Sequence, residues 1–169
     1  AIYDGKILTY GIGAHGIGAS NGGVSSWAPS HVSVAQMQVT TNGRQAYGLV
    51  ATTNSDIQAK GINITTTGES AAGIFSQGNG LINISEGSQI ITSGEGAHGA
   101  AINLGSEVNI TNSSITTTGT NASGIYMAGN NFADRSLPPA PVPRVLDPDV
   151  FSRPTTQETV DTEDTDRAG

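Results

Sequence analysis

A chain of 169 residues with 23 Gly, 12% charged and only 5% aromatic residues has material for one domain whose core is thin and made of small side chains. The absence of Cys rules out disulfides and thiolate metal sites, and the net charge of −7 argues against nucleic acid as a partner. Gly does not recur every third residue as in collagen, and no stretch approaches the roughly 18 to 20 consecutive apolar residues of a membrane helix.

In chain order, Ala1-Ile2-Tyr3-Asp4 carries neither an initiator Met nor a signal peptide, so the chain reads as a mature piece or a fragment. The first recognisable unit is Thr9-x-Gly11-x-x-Ala14-x-Gly16. It returns as Thr41/Gly43/Ala46/Gly48, Thr66/Gly68/Ala71/Gly73, Thr92/Gly94/Ala97/Gly99 and Thr117/Gly119/Ala122/Gly124. Successive first glycines are 32, 25, 26 and 25 residues apart. A period between roughly 20 and 50 residues means a solenoid, a propeller or an array, and 25 is too short for a propeller blade or a helical repeat. No Leu-x-x-Leu-x-Leu occurs, which leaves a β-solenoid with one coil per repeat.

The longer first step places a loop at Ser20–Ser30, Gly/Ser-rich and containing Trp27 and Pro29. Loops on a rigid scaffold often carry function, so Trp27 is a candidate ligand contact, with packing against the first coil as its alternative. From Val32 to Gly129 the pattern is regular. Ile62-Asn63-Ile64, Ile82-Asn83-Ile84 and Val108-Asn109-Ile110 alternate apolar and polar residues at period two, as strands with one inward face do. With the residues that follow the second Gly, each coil has about three short strands joined by Gly, Asn and Ser turns. Glycine is expected where the backbone takes positive φ or where coils approach closely. Parity puts the Thr9/Thr41/Thr66/Thr92/Thr117 column inward, and its hydroxyls are expected to form a ladder in which each donates to its stacked neighbour. At about 4.8 Å per coil, five coils make a rod about 25 Å long.

The position after the first Gly holds Arg44, Glu69 and Glu95 in successive coils. These are the candidate ligand-binding charges, and a surface charge ladder is the plainer reading. His15 and His98 share a column but stand three coil steps apart, about 14 Å, too far for one metal ion. No nucleophile motif, phosphate loop or calcium nonapeptide is present, so no catalytic residue, cofactor or metal is expected. Several Asn-x-Ser/Thr triplets, Asn63, Asn83 and Asn109 among their leading residues, follow from composition. Residues 134–154 read as a Pro-rich linker around Leu137–Pro143 and 155–169 as an acidic tail expected to be disordered, leaving 1–133 as the repeat domain.

The columns Ile-x-Thr-x-Gly-x-x-Ala-x-Gly-Ile, clearest at Ile90–Gly99 and Ile115–Ile125, resemble the pertactin-like passenger domains of bacterial autotransporters. The resemblance covers roughly residues 1 to 133. It implies an all-β, right-handed, three-sided parallel β-helix, here of about five coils, secreted or displayed on a Gram-negative outer membrane and acting in adhesion or virulence. Partners would be a host or extracellular-matrix protein or a glycan. The C-terminal membrane β-barrel and the Arg-Gly-Asp tripeptide of some members are absent from this sequence. The expectation is therefore a non-enzymatic passenger fragment. Two alternatives are a polysaccharide-processing β-helix enzyme using Arg44, Glu69 and Glu95, and an ice-binding solenoid using Thr65/Thr67 and Thr116/Thr118. Neither end shows an obvious polar cap, so end-to-end self-association is also expected.

Overall fold

The structure, a computed structural model, describes residues 1–22, 29–103 and 105–129. Trp27, the Pro-rich segment and the acidic tail lie outside them. The described residues form β-strands and turns without a helix. The strands are β1 (Ile2–Thr9), β2 (Ile17–Ser20), β3 (Ser30–Thr41), β4 (Leu49–Thr52), β5 (Ser55–Lys60), β6 (Asn63–Thr66), β7 (Ile74–Gln77), β8 (Leu81–Ser85), β9 (Gln89–Thr92), β10 (Ala100–Asn103), β11 (Glu107–Ile110), β12 (Ser114–Thr117) and β13 (Ile125–Ala128).

Every pairing is parallel and joins a strand to its equivalent one coil later. The result is a β-solenoid that rises through about four turns between the first copy of the glycine corner and the fifth. Three lateral faces follow from the pairing. The first is the beginnings of β1 and β3 with β5, β8 and β11; the second is the ends of β1 and β3 with β6, β9 and β12; the third is β2, β4, β7, β10 and β13. β1 and β3 run unbroken from the first face into the second, turning at Asp4 and Gln36, both with positive φ. Later coils make that bend at Gly61, Glu86-Gly87 and Asn112. The fourth coil spends one extra residue there, between the pairs Lys60↔Ser85 and Asn63↔Gln89, and this accounts for the single step of 26.

The core is a set of stacked columns. Val39, Ile64 and Ile90 form one, Ile57 and Ile82 another, and Leu49, Ile74 and Ala100 a third, all buried. Each Val, Leu or Ile among them contributes about 1.5–3 kcal/mol relative to exposure, and among the described residues no aromatic ring takes part.

The two glycines of the repeat serve different contacts. At Gly43, Gly68, Gly94 and Gly119 an added Cβ would overlap the carbonyl oxygen of the first glycine in the preceding coil. At Gly16, Gly48, Gly73 and Gly99 it would overlap the branched methyl of Val39, Ile64, Ile90 and Ile115, the core residue of the following coil. The positive φ falls instead on the third residue of the corner, Gly13, Gln45, Ser70, Gly96 and Asn121. An N–H from the invariant Ala back to the first Gly carbonyl closes each turn, as in Ala46 to Gly43 at 3.2 Å and Ala97 to Gly94 at 3.1 Å.

The threonine column is inward, with Thr41, Thr66 and Thr92 fully buried. Its hydroxyls do not form the expected ladder. Thr9, Thr41, Thr66 and Thr92 each donate to the carbonyl of the Ala five residues on, at 2.6, 2.8, 3.2 and 2.8 Å. That carbonyl points into the coil as the chain turns. A donor within the same coil satisfies it at the full strength of a buried hydrogen bond, which a hydroxyl-to-hydroxyl chain would leave undone.

Candidate functional site

Of the residues singled out from sequence, Arg44 and Glu69 meet across one coil step, Nη2 to Oε1 at 3.5 Å, with side chains 58% and 55% exposed. A pair this open to water contributes little, about 0–1 kcal/mol. Glu95 is exposed one coil further on, and its backbone carbonyl accepts the Ser70 N–H at 2.8 Å. The column is a charge ladder along a corner.

The histidine column is part of a larger arrangement. His15 stacks on Tyr47 with ring centroids 5.0 Å apart, Tyr47 on Phe75 at 4.6 Å, and His98 on Tyr126 at 4.4 Å, the ring planes within 10° of parallel. One ring per coil is supplied from two columns. The third and fifth coils place Ala72 and Ser123 where the ring would stand, and Phe75 and Tyr126, three residues later, fill the level instead. Both histidines use Nδ1 as an acceptor for a backbone N–H of the next coil, Tyr47 N at 3.1 Å and Ser123 N at 3.0 Å. Burial lowers the His15 pKa below its ordinary value and raises that of Tyr47. The rings stack face to face and so join successive coils. Among the described residues no three His, Asp or Glu come together as metal ligands.

A polar cluster not singled out from sequence lies at the start of β3, just after residues 21–29. Ser20 pairs with Thr52 and Ser30 with Ser55, so nine residues, 21–29, stand where the next coil has only Thr53 and Asn54. Ser55 Oγ donates to Ala19 O at 2.8 Å and Ser30 Oγ to Ser20 O at 3.1 Å, which ties down both ends of the insertion. β3 starts directly after it. Alternation along β3 turns His31 and Ser33 outward, and the register sets them beside Asp56 and Gln58 of β5.

His31 Nδ1 lies 2.9 Å from Asp56 Oδ2, and His31 Nε2 lies 2.8 Å from Ser33 Oγ. A carboxylate only accepts, so Nδ1 carries the proton and Nε2 is left to accept the Ser33 hydroxyl. The His31 side chain is 46% exposed and that of Asp56 23%. The second carboxylate oxygen, Asp56 Oδ1, is buried without a hydrogen-bond partner among the described residues. Next to the cluster an open pocket of about 270 Å³ is lined by Tyr3, Ser33, Val34, Ala35, Gln58 and Lys60. Lys60 Nζ donates to Glu86 Oε1 at 2.7 Å, and that bond raises the ammonium pKa and holds the charge at the pocket rim. The same face continues as an amide row, with Gln58 beside Asn83 and Asn109 Nδ2 donating to Asn83 Oδ1 at 3.0 Å.

No family model, curated protein or solved structure matches the chain. A signal for the cluster is present in the sequence nonetheless. His31 and Ser33 are two apart on a strand, and Asp56 follows His31 by 25 residues, one coil step.

Proposed function

We propose that this chain is a secreted or surface-displayed solenoid of the autotransporter-passenger kind, which adheres to a host or matrix partner through its first lateral face. What supports the reading is the row of outward polar side chains on that face, Ser33, Gln58, Asn83 and Asn109, spaced by one coil step beside the pocket at the loop foot. Donors and acceptors repeating at about 4.8 Å on a rigid sheet suit an extended, hydroxyl-rich ligand such as a glycan, or the glycan of a matrix protein. Ice binding gains no support, since the outward column Thr40, Thr65, Ile91, Thr116 is interrupted by an exposed Ile.

The test is binding of the purified chain to fibronectin, collagen, heparin and epithelial cells, alongside the double variant Asn83→Leu/Asn109→Leu. Saturable binding weakened at least about tenfold by the double variant is expected, since two hydrogen bonds at about 1 kcal/mol each are removed. Absence of binding to all four, or equal binding by the variant, overturns the adhesion role. Translating the locus beyond Gly169 in all frames tests the display route, and a β-barrel coding sequence is expected.

A further inference from the structure

We infer that Ser33, His31 and Asp56 form a hydrolytic site for small acyl esters, with the pocket lined by Tyr3, Ala35 and Lys60 receiving the acyl group. The inference does not require adhesion, although Ser33, Gln58 and the pocket belong to the same face, and it rests on three observations. First, nucleophile, base and orienting carboxylate are connected in sequence, Ser33 Oγ to His31 Nε2 at 2.8 Å and His31 Nδ1 to Asp56 Oδ2 at 2.9 Å. This is the arrangement by which a serine hydroxyl is activated, recognised by geometry and not by chain order. Secondly, Ser33 opens onto a pocket of about 270 Å³, near the lower end of small-molecule clefts. An acetyl-sized group fits it. Thirdly, the register sets Gln58 directly beside Ser33 on the same outward row, and Gln58 also lines the pocket. Its side-chain amide carries N–H donors on the pocket wall that Ser33 shares. Side-chain amides serve as oxyanion donors where backbone N–H groups are already used in strand pairing.

The chemistry closes on these groups. Ser33 Oγ forms a bond to the ester carbonyl carbon while His31 Nε2 takes the hydroxyl proton, and the carbonyl oxygen becomes an oxyanion that accepts the Gln58 N–H. The bond from carbon to the alcohol oxygen then breaks, and the alcohol leaves with the proton from His31. A water molecule attacks the acyl-serine, gives a proton to His31 and releases the carboxylic acid as Ser33 recovers its hydroxyl. Asp56 touches no reacting atom. It is a positioning residue that keeps the proton on Nδ1 so that Nε2 is free to act as base. Esters are favoured over amides because this open site gives a poor leaving group little protection from water.

The experiment uses the full 169-residue chain with a fluorophosphonate probe, peptide mapping by mass spectrometry, and p-nitrophenyl acetate as substrate. Labelling at Ser33 is expected. Acetate release should fall at least about 100-fold in Ser33→Ala and His31→Gln, the scale of a lost general base, and about 100-fold in Gln58→Leu, the scale of a lost oxyanion donor. Asp56→Asn should lower kcat with KM in place, a split that a merely structural role would not produce. All four positions face outward, and unchanged circular dichroism and melting temperature will show that the variants fold. No label on Ser33, or hydrolysis undiminished in Ser33→Ala, overturns the assignment. Because Asn83 and Asn109 are untouched, failure here leaves the adhesion result standing, and failure of adhesion leaves this one standing.

Discussion

The glycine corner and the foot of the long loop are built on opposite rules. At the corner each residue is dictated by the coil next to it. The first Gly yields to a carbonyl one coil back, the second to a methyl one coil on, and the Thr to a carbonyl in its own turn. At the loop foot no neighbour dictates the outward residues. His31, Ser33 and Asp56 occur once, although their strand positions continue in the following coils. Repetition marks what stacking demands, and departure from it marks where chemistry is free to appear.

That contrast can be broken most forcefully at the corner. Gly68→Ala forces a Cβ into the Gly43 carbonyl, backbone against backbone, with no flexible side chain to give way. A loss above about 4 kcal/mol is expected, among the large values reserved for core strain, and urea denaturation should find the variant largely unfolded. Thr66→Val keeps the shape and removes the donor to the buried Ala71 carbonyl. It should cost about 1–3 kcal/mol, read as a lower denaturation midpoint at unchanged slope.

A smaller effect is expected at His15, whose folded pKa is depressed by burial. With the folded value below the unfolded one, its contribution is fully present above the unfolded pKa of about 6.5. That contribution is lost as pH falls from there through the lower folded value, where Nδ1 must take a proton in place of the Tyr47 N–H. The melting temperature should therefore drop on acidification below about 6.5, and His15→Asn should flatten that part of the profile. The smallest effect sharpens the comparison from the other side. Ser33→Ala should change stability by no more than about 0.5 kcal/mol, as surface substitutions do, while removing the labelling expected of the native chain.

How much of this was legible in the chain differs by position. The Ile64, Ile90 and Thr66 columns could be placed inward from alternation alone, because a strand has only two sides. The partner of the Thr hydroxyl could not, since the sequence pattern does not say whether it turns to the stacked Thr of the next coil or to the carbonyl of the Ala five residues on. The aromatic ribbon was half visible. His15, Tyr47 and His98 share a column, but Phe75 and Tyr126 enter it from another, and only side-chain direction reveals that. The His31 cluster has the spacing of one coil step, but its residues occur at that strand position only once, so no repeated column drew them together.

The sequence by itself determined that this chain is an all-β solenoid of small-residue coils, because a 25-residue period with glycine, alanine and threonine at constant places admits little else. Tertiary structure decided which residues meet: the extra residue at Glu86-Gly87 absorbed in a bend, the Thr hydroxyl turned to its own coil, and His31 placed between Ser33 and Asp56. The physical reason is that periodicity encodes the stacking contacts, which every coil repeats. A site used once is specified only by the register that brings two coils side by side.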